Sequence, residues 1–159
     1  MPFYLIVYYF WNAMSRALCS HCQRPKLACI CAFIVPVKNT IKVLVLQHPS
    51  EVSQSKGTIS LLSRSLQSCQ IIVGEDFSDN QELDTIINDY QAVLLYPSED
   101  AISLGDNTTG ALSQLVEKRN QTKPLCLIIL DGTWKKAYRM FMLCETLQGL
   151  TQVCLPEDI

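Results

Sequence analysis

What most constrains the fold of this chain is the run Pro124-Leu125-Cys126-Leu127-Ile128-Ile129-Leu130, apolar throughout and rich in branched side chains. A strand with one wet face alternates polar and apolar residues. One without alternation is covered on both faces, as in the parallel sheets of α/β proteins. Three other runs read as strands: Ile41 to Leu46, Cys69 to Val73 and Ala92 to Tyr96. Helical patterns separate them, at Thr58 to Gln67 with Ile59, Leu62 and Leu66 inward, Asp79 to Asp89, and Ala111 to Lys118. Strands alternating with helices imply parallel pairing through right-handed crossovers. The predicted class is α/β, a parallel-type sheet with flanking helices. With 159 residues and 48% hydrophobic content, the chain has the length of one domain and enough apolar surface for a sizeable core. No internal repeat, low-complexity tract or domain linker interrupts it.

The buried run leads into Asp131-Gly132-Thr133-Trp134, and a helix follows. Trp134, Ala137, Tyr138, Phe141 and Met142 recur at helical spacing and predict its inward face, with Lys135, Lys136 and Arg139 on the other. Asp131 thus stands at the carboxyl end of a buried strand, where open α/β sheets place their ligands. Two more strands end in turns that carry acids, Gln47-His48-Pro49-Ser50-Glu51 and Pro97-Ser98-Glu99-Asp100-Ala101. In a parallel sheet these ends share one edge. Glu51, Glu99, Asp100 and Asp131 are therefore expected to converge on one acidic crevice, suited to a cationic ligand or to a proton that must be removed. Each residue also has a plainer reading: Thr133 as an N-cap, Gly132 as a tight turn, Trp134 as a core anchor and the acids as turn formers.

A net charge of −2, from 13 basic and 15 acidic side chains, gives no bulk footprint of a nucleic-acid binder, so any basic patch must be local. Four of the eight cysteines fall in the pattern Cys19-x2-Cys22-x6-Cys29-x-Cys31. Two close thiol pairs can surround one tetrahedral zinc; redox-active thiols are the competing reading. His21 lies between two of these ligands and, with four thiols available, is expected to face solvent. Cys69, Cys126, Cys144 and Cys154 lie singly in apolar runs and read as buried small hydrophobes. The first thirteen residues, Met1 to Ala13, hold the aromatic run Pro2 to Trp11. It is too short for a membrane span and lacks the basic n-region and cleavage site of a signal peptide. It is expected to be an extra apolar arm, or an artefact of a start placed upstream of Met14. The domain would then run from 14 to 159, with no membrane association and a cytoplasmic location.

Four motifs carry a family resemblance: the cysteine set with Arg24-Pro25 inside it, Leu46-Gln47-His48-Pro49-x-Glu51, Leu95-Tyr96-Pro97-Ser98-Glu99-Asp100-Ala101, and Leu130-Asp131-Gly132-Thr133-Trp134-x-x-Ala137. In this order, from Cys19 to about Met140, the chain resembles the DTW-domain family of tRNA-uridine aminocarboxypropyltransferases, related to the SPOUT class of RNA-modifying enzymes. The resemblance implies a SPOUT-like core over 41–159 behind a zinc-binding segment over 19–31. It implies transfer of the 3-amino-3-carboxypropyl group of S-adenosylmethionine to N3 of a tRNA uridine, with release of 5′-methylthioadenosine. Asp131 is then the candidate general base or orienting group. Leu95, Tyr96, Pro97, Ser98, Glu99, Leu130, Gly132, Thr133 and Trp134 would wrap S-adenosylmethionine, Trp134 offering a face to adenine or to the target base. His48, Glu51, Lys135, Lys136 and Arg139 would face the tRNA, the cations by holding phosphates. Arg24, Lys26 and Lys56 are weaker candidates. Zinc would brace the N-terminal segment or present it to the tRNA.

One departure stands out. The family pattern continues beyond this helix with another strand, an arginine-containing stretch and a Thr/Glu-Ala motif on a final helix. Here the chain stops at Ile159, just after Gln152-Val153-Cys154-Leu155 begins that strand. A C-terminally truncated product is expected, with part of the cofactor pocket lacking and a sheet edge exposed. Two other functions fit the same residues. One is a SPOUT-like S-adenosylmethionine-dependent RNA methyltransferase, which would release S-adenosylhomocysteine. The other is a non-catalytic zinc-binding RNA module, which needs the cysteines and the basic face but not Asp131.

Overall fold

The structure, a computed structural model, describes residues 17–22, 24–54, 57–104 and 123–156. The expectations for Met1 to Ala13 and Met14, for Lys56 and for a helix from Ala111 to Lys118 lie outside the described residues. The chain divides into two compact units, Met1–Val35 and Pro36–Ile159.

In the first unit Leu18 and Pro25 form an isolated antiparallel bridge. The Cys19 amide donates to the Arg24 carbonyl (2.7 Å) and the Lys26 amide to the Ala17 carbonyl (2.9 Å). Two single-turn 3-10 helices follow, Lys26–Ala28 and Cys31–Phe33. Cys22 and Ile30 are the buried apolar residues among those described here, while Leu27 and Phe33 are exposed. So little apolar burial does not order a segment of this size. Such pieces depend on a cross-link or a metal.

The second unit is built on six strands, β1 (Lys42–Gln47), β2 (Cys69–Val73), β3 (Gln91–Leu95), β4 (Ile102–Ser103), β5 (Leu125–Asp131) and β6 (Thr151–Cys154). They form one sheet in the order β2-β1-β5-β3-β6-β4, and every pairing is parallel. Among the described residues four α-helices accompany them: α1 (Ile59–Ser65), α2 (Gln81–Asp89), α3 (Trp134–Leu143) and α4 (Glu145–Gln148). On one face Leu44, Leu46, Leu94, Cys126 and Ile128 pack with Leu83 and Ile86 of α2, Met140 of α3 and Leu147 of α4 around Phe77. On the other, Val43 and Val45 meet Ile59 and Leu62 of α1. Strand β1 is thus buried on both faces, whereas β5 has Cys126 and Ile128 buried on one face and Leu125, Leu127 and Ile129 half-buried on the other. Each fully buried apolar side chain contributes about 1.5–3 kcal/mol relative to exposure. Among the described residues, no helix is long and apolar enough to cross a membrane.

Three details depart from the expectations. The side chain of Asn80 accepts the Leu83 amide (2.9 Å) and caps α2, so that helix begins at Gln81, not at Asp79. The strand expected to begin with Gln152-Val153-Cys154-Leu155 runs over Thr151–Cys154 instead and is interior: it pairs with β3 on one side and with two-residue β4 on the other. The inward face of α3 is also turned in part, for Ala137 is buried and Phe141 packs on the core as expected. Ala137 and Met140 are buried, whereas Trp134, Tyr138 and Met142 are 74%, 56% and 49% exposed. The helix carries two apolar stripes, and spacing alone does not choose between them. Packing against the sheet selects the one with small Ala137 and flexible Met140.

Candidate active site and metal centre

Because β1, β5 and β3 are neighbours, the three acid-bearing turns do share one edge of the sheet. They do not form an acidic crevice. Gln47, buried at the end of β1, lies in register with Asp131 and donates its Nε2 to Asp131 Oδ2 at 2.7 Å. The His48 amide donates to the Asp131 carbonyl at 2.9 Å. Lys136 Nζ donates to Glu51 Oε1 (2.8 Å) and to Ser50 Oγ (2.6 Å), and Ser50 Oγ donates to Glu51 Oε1 (3.1 Å). Glu99 and Asp100 are exposed in the turn beyond Pro97. A buried or half-buried carboxylate in a low dielectric takes the nearest donor. Two of the expected acids are therefore satisfied by neighbours.

The same contacts organise the loops. The Ser50 amide donates to His48 Nδ1 (3.2 Å), so the proton sits on Nε2, which lies 3.6 Å from Glu75 Oε1. Arg139 Nε is 3.1 Å from the same Glu75 oxygen. Among the described residues Lys135 has no ion pair. The Lys136 hydrogen bond, and after it that of Ser50, hold the Glu51 carboxyl below the usual carboxylate range, against the opposing effect of burial. Gly132 lets the chain pass between β5 and α3, since a Cβ there would stand 3.1 Å from Lys136 Cβ and 3.6 Å from His48 Cβ. Thr133 occupies the N-cap position of α3, but its side chain makes no capping hydrogen bond.

Beside this network, at the carboxyl ends of β3 and β5, opens a cavity of about 470 Å³ lined by Leu95, Tyr96, Pro97, Ile129, Leu130, Gly132, Thr133, Trp134, Ala137, Cys154 and Leu155. Of the residues expected around S-adenosylmethionine, Leu95, Tyr96, Pro97, Leu130, Gly132, Thr133 and Trp134 meet here; Ser98 and Glu99 are not in the wall. Asp131 is not in it either, its carboxylate being turned toward Gln47. Among the described residues the wall holds no carboxylate and is mostly apolar. Tyr96 is fixed by donating its amide to Val153 (2.9 Å) and by stacking on Phe141, with ring centroids 4.5 Å apart. Burial, and then Tyr138, push the Tyr96 hydroxyl above its usual titration. The sequence reading missed Ile129, Ala137, Cys154 and Leu155. Ile129 enters through its register with Leu95, and Cys154 and Leu155 enter only because β6 is inserted beside β3. Cys154 is thus half-buried in a cavity wall, in contrast to Cys126 and Cys144, which are fully buried. Burial pushes the Cys126 thiol up to about 11.

In the N-terminal unit the sulfurs of Cys19, Cys22, Cys29 and Cys31 all lie within 4.8 Å of one another. Cys19 and Cys31 are 3.7 Å apart, as are Cys22 and Cys29. Four sulfurs at ~2.3 Å from a tetrahedral zinc would stand ~3.8 Å apart, so the donor set fits that ion. The amides of Ile30 and Arg24 draw the Cys22 thiol down to about 6. Those of Cys22 and His21 lower Cys19. Hydrogen bonding with Cys29, then burial, pushes Cys31 up to about 12. The group holds protons that a metal would displace. His21 is exposed, yet its Nδ1 is 3.6 Å from Cys31 Sγ.

The DTW domain family matches residues 16–159. This chain is a member of the DTW-domain family. The DTW domain is 29% identical over 155 residues to mouse (Mus musculus) tRNA-uridine aminocarboxypropyltransferase 2, covering 90% of this chain and 49% of the relative. To the protein of the same name from Macaca fascicularis it is 30% identical over 153 residues, with 92% and 48% covered. To tRNA-uridine aminocarboxypropyltransferase A of Arabidopsis thaliana it is 29% identical over 157 residues, with 91% and 58% covered. The chain spans about half the length of these curated relatives. No solved structure matches it. In the DTW domain, the family-like segments Leu95 to Pro97 and Leu130 to Trp134 come together around the one cavity, apart from Asp131.

Proposed function

We propose that this DTW domain belongs to a tRNA-uridine aminocarboxypropyltransferase, which alkylates N3 of a tRNA uridine. The observation that carries this reading is the meeting of Leu95, Tyr96 and Pro97 with Leu130, Gly132, Thr133 and Trp134 around one mostly apolar cavity of about 470 Å³. That volume lies in the range of sites for nucleoside-sized ligands. S-adenosylmethionine, consumed as a co-substrate, would supply the 3-amino-3-carboxypropyl group and leave as 5′-methylthioadenosine. Tyr96 and Trp134 offer aromatic faces to its adenine and its sulfonium, so attraction to the cation comes from ring faces and not from the carboxylates first expected.

Asp131 stands one residue from the cavity wall, with Oδ2 held by Gln47. Its Oδ1 accepts no hydrogen bond from the described residues and is the acceptor for the uridine N3 proton. Removing that proton makes N3 a nucleophile, a contribution of roughly 10²–10⁴-fold for a positioned general base. The mostly apolar wall limits the water that could compete for the electrophile. Ser98 and Glu99 extend the Pro97 turn toward the cofactor, while His48, Glu51, Lys135, Lys136 and Arg139 form the rim that meets tRNA. The four-cysteine group holds a structural zinc, and the protein works in the cytoplasm.

The test incubates the protein with S-adenosylmethionine and unmodified tRNA and measures nucleosides and small products by mass spectrometry. Aminocarboxypropyl-uridine with 5′-methylthioadenosine is expected. Asp131→Asn, which keeps an acceptor for Gln47, should lower the rate about 10²-fold or more with tRNA binding intact. Methylated nucleoside with S-adenosylhomocysteine would replace this reading with a methyltransferase. RNA binding without either product, and unchanged in Asp131→Ala, would replace it with a binding module.

A further inference from the structure

Along α3 runs an apolar stripe that the described residues leave uncovered. Trp134, Tyr138 and Met142 follow one another at four-residue spacing and are mostly exposed. The stripe is continuous with the cavity, since Trp134, its first residue, forms part of the cavity wall. The helix bears three cations, Lys135, Lys136 and Arg139, and no acid, in a chain whose net charge is −2. Rings interleaved with cations make the composition of a surface for unpaired nucleic acid: bases stack on the aromatic faces while phosphates meet the charges. A second copy docking through α3 would bring like charges face to face, which disfavours self-association here.

Resting on the tRNA reading above, we infer that Trp134, Tyr138 and Met142 form a stacking row for the unpaired nucleotides next to the target uridine. The row leads that strand into the mouth of the cavity. Tyr138 supplies the central ring of the row, Met142 extends its apolar surface, and Lys135 supplies the cation least engaged within the protein. The exposed ion pairs of Lys136 and Arg139 are of the kind a phosphate displaces.

The experiment measures binding of unmodified tRNA by fluorescence anisotropy over a series of salt concentrations. Tyr138→Ala should weaken binding about 5- to 100-fold without changing the salt dependence, as loss of one stacking ring does. Tyr138→Trp should restore it. Lys135→Ala should instead reduce the slope of log K against log salt by roughly 0.7–0.9. Position 138 is exposed and alanine favours helix, so circular dichroism should show an intact fold in both variants. Wild-type affinity in Tyr138→Ala, while the wild type binds and modifies tRNA, overturns the stacking row and leaves the transferase reading standing. A dimer that Tyr138→Ala converts to monomer, with tRNA affinity unchanged, assigns the stripe to self-association and equally overturns it. If the wild type binds no tRNA, both the tRNA reading and this inference fall.

Discussion

Glu51 ends the turn after β1 and pairs with Lys136 of α3, and its partners decide how this edge of the sheet responds to acid. Lys136 and then Ser50 hold its carboxyl below the usual range. A carboxylate lowered in the folded state contributes stability above its unfolded pKa, ~4.3 for glutamate, and loses that contribution as pH falls through the folded value. Glu51→Gln should therefore melt below the wild type near neutral pH, and the difference should shrink as the pH falls below the ordinary glutamate range. Thermal melts of the two proteins across this range provide the check. A deficit that persists at low pH would mean that Glu51 acts through packing and not charge. The Gln47 bond to Asp131 belongs to the same scale: it uses one carboxylate oxygen, and no other described residue donates a hydrogen bond to that side chain.

Helix α3 is the element on which both site and surface depend. Met140 is fully buried in the larger core, whereas Met142, two residues on, is half exposed. Truncating a fully buried methionine costs about 2–5 kcal/mol, while an exposed substitution stays within about 0.5 kcal/mol. Met140→Ala should lower the urea midpoint strongly and Met142→Ala hardly at all. The reverse order would restore the inward face expected from the aromatic spacing. The placement matters for function, because burying Met140 and Ala137 is what turns Trp134 and Tyr138 outward at the cavity mouth.

At the scale of the molecule, the two compact units are held together by different physics. Pro36–Ile159 has a core on both faces of its sheet, while Met1–Val35 gathers four thiols and, among the described residues, little buried apolar surface. One zinc per chain is expected by native mass spectrometry. Chelation, or Cys22→Ser, should abolish amide protection in residues 17–35 while that of β1 and β5 persists. Since the ligands must be thiolates, metal retention should weaken as pH falls. Retained protection in the N-terminal unit after complete metal removal would refute the structural role of the ion.

The α/β class, the positions of the main strands and helices and the gathering of four cysteines were readable along the chain from apolar run length, helical period and residue spacing, which are local properties. Membership of the DTW family was carried by the resemblance of four motifs. Tertiary structure decided the rest. Strand order put β5 between β1 and β3 and inserted β6 beside β3, bringing Cys154 and Leu155 into the cavity. Packing chose between two apolar stripes on α3. Pairing of Asp131 with Gln47, 84 residues earlier, and of Glu51 with Lys136 turned an expected acidic crevice into a mostly apolar cavity beside a satisfied polar network. No local pattern encodes such partners: a carboxylate's charge is read from its sequence, but the donor that satisfies it is set by which strands lie side by side.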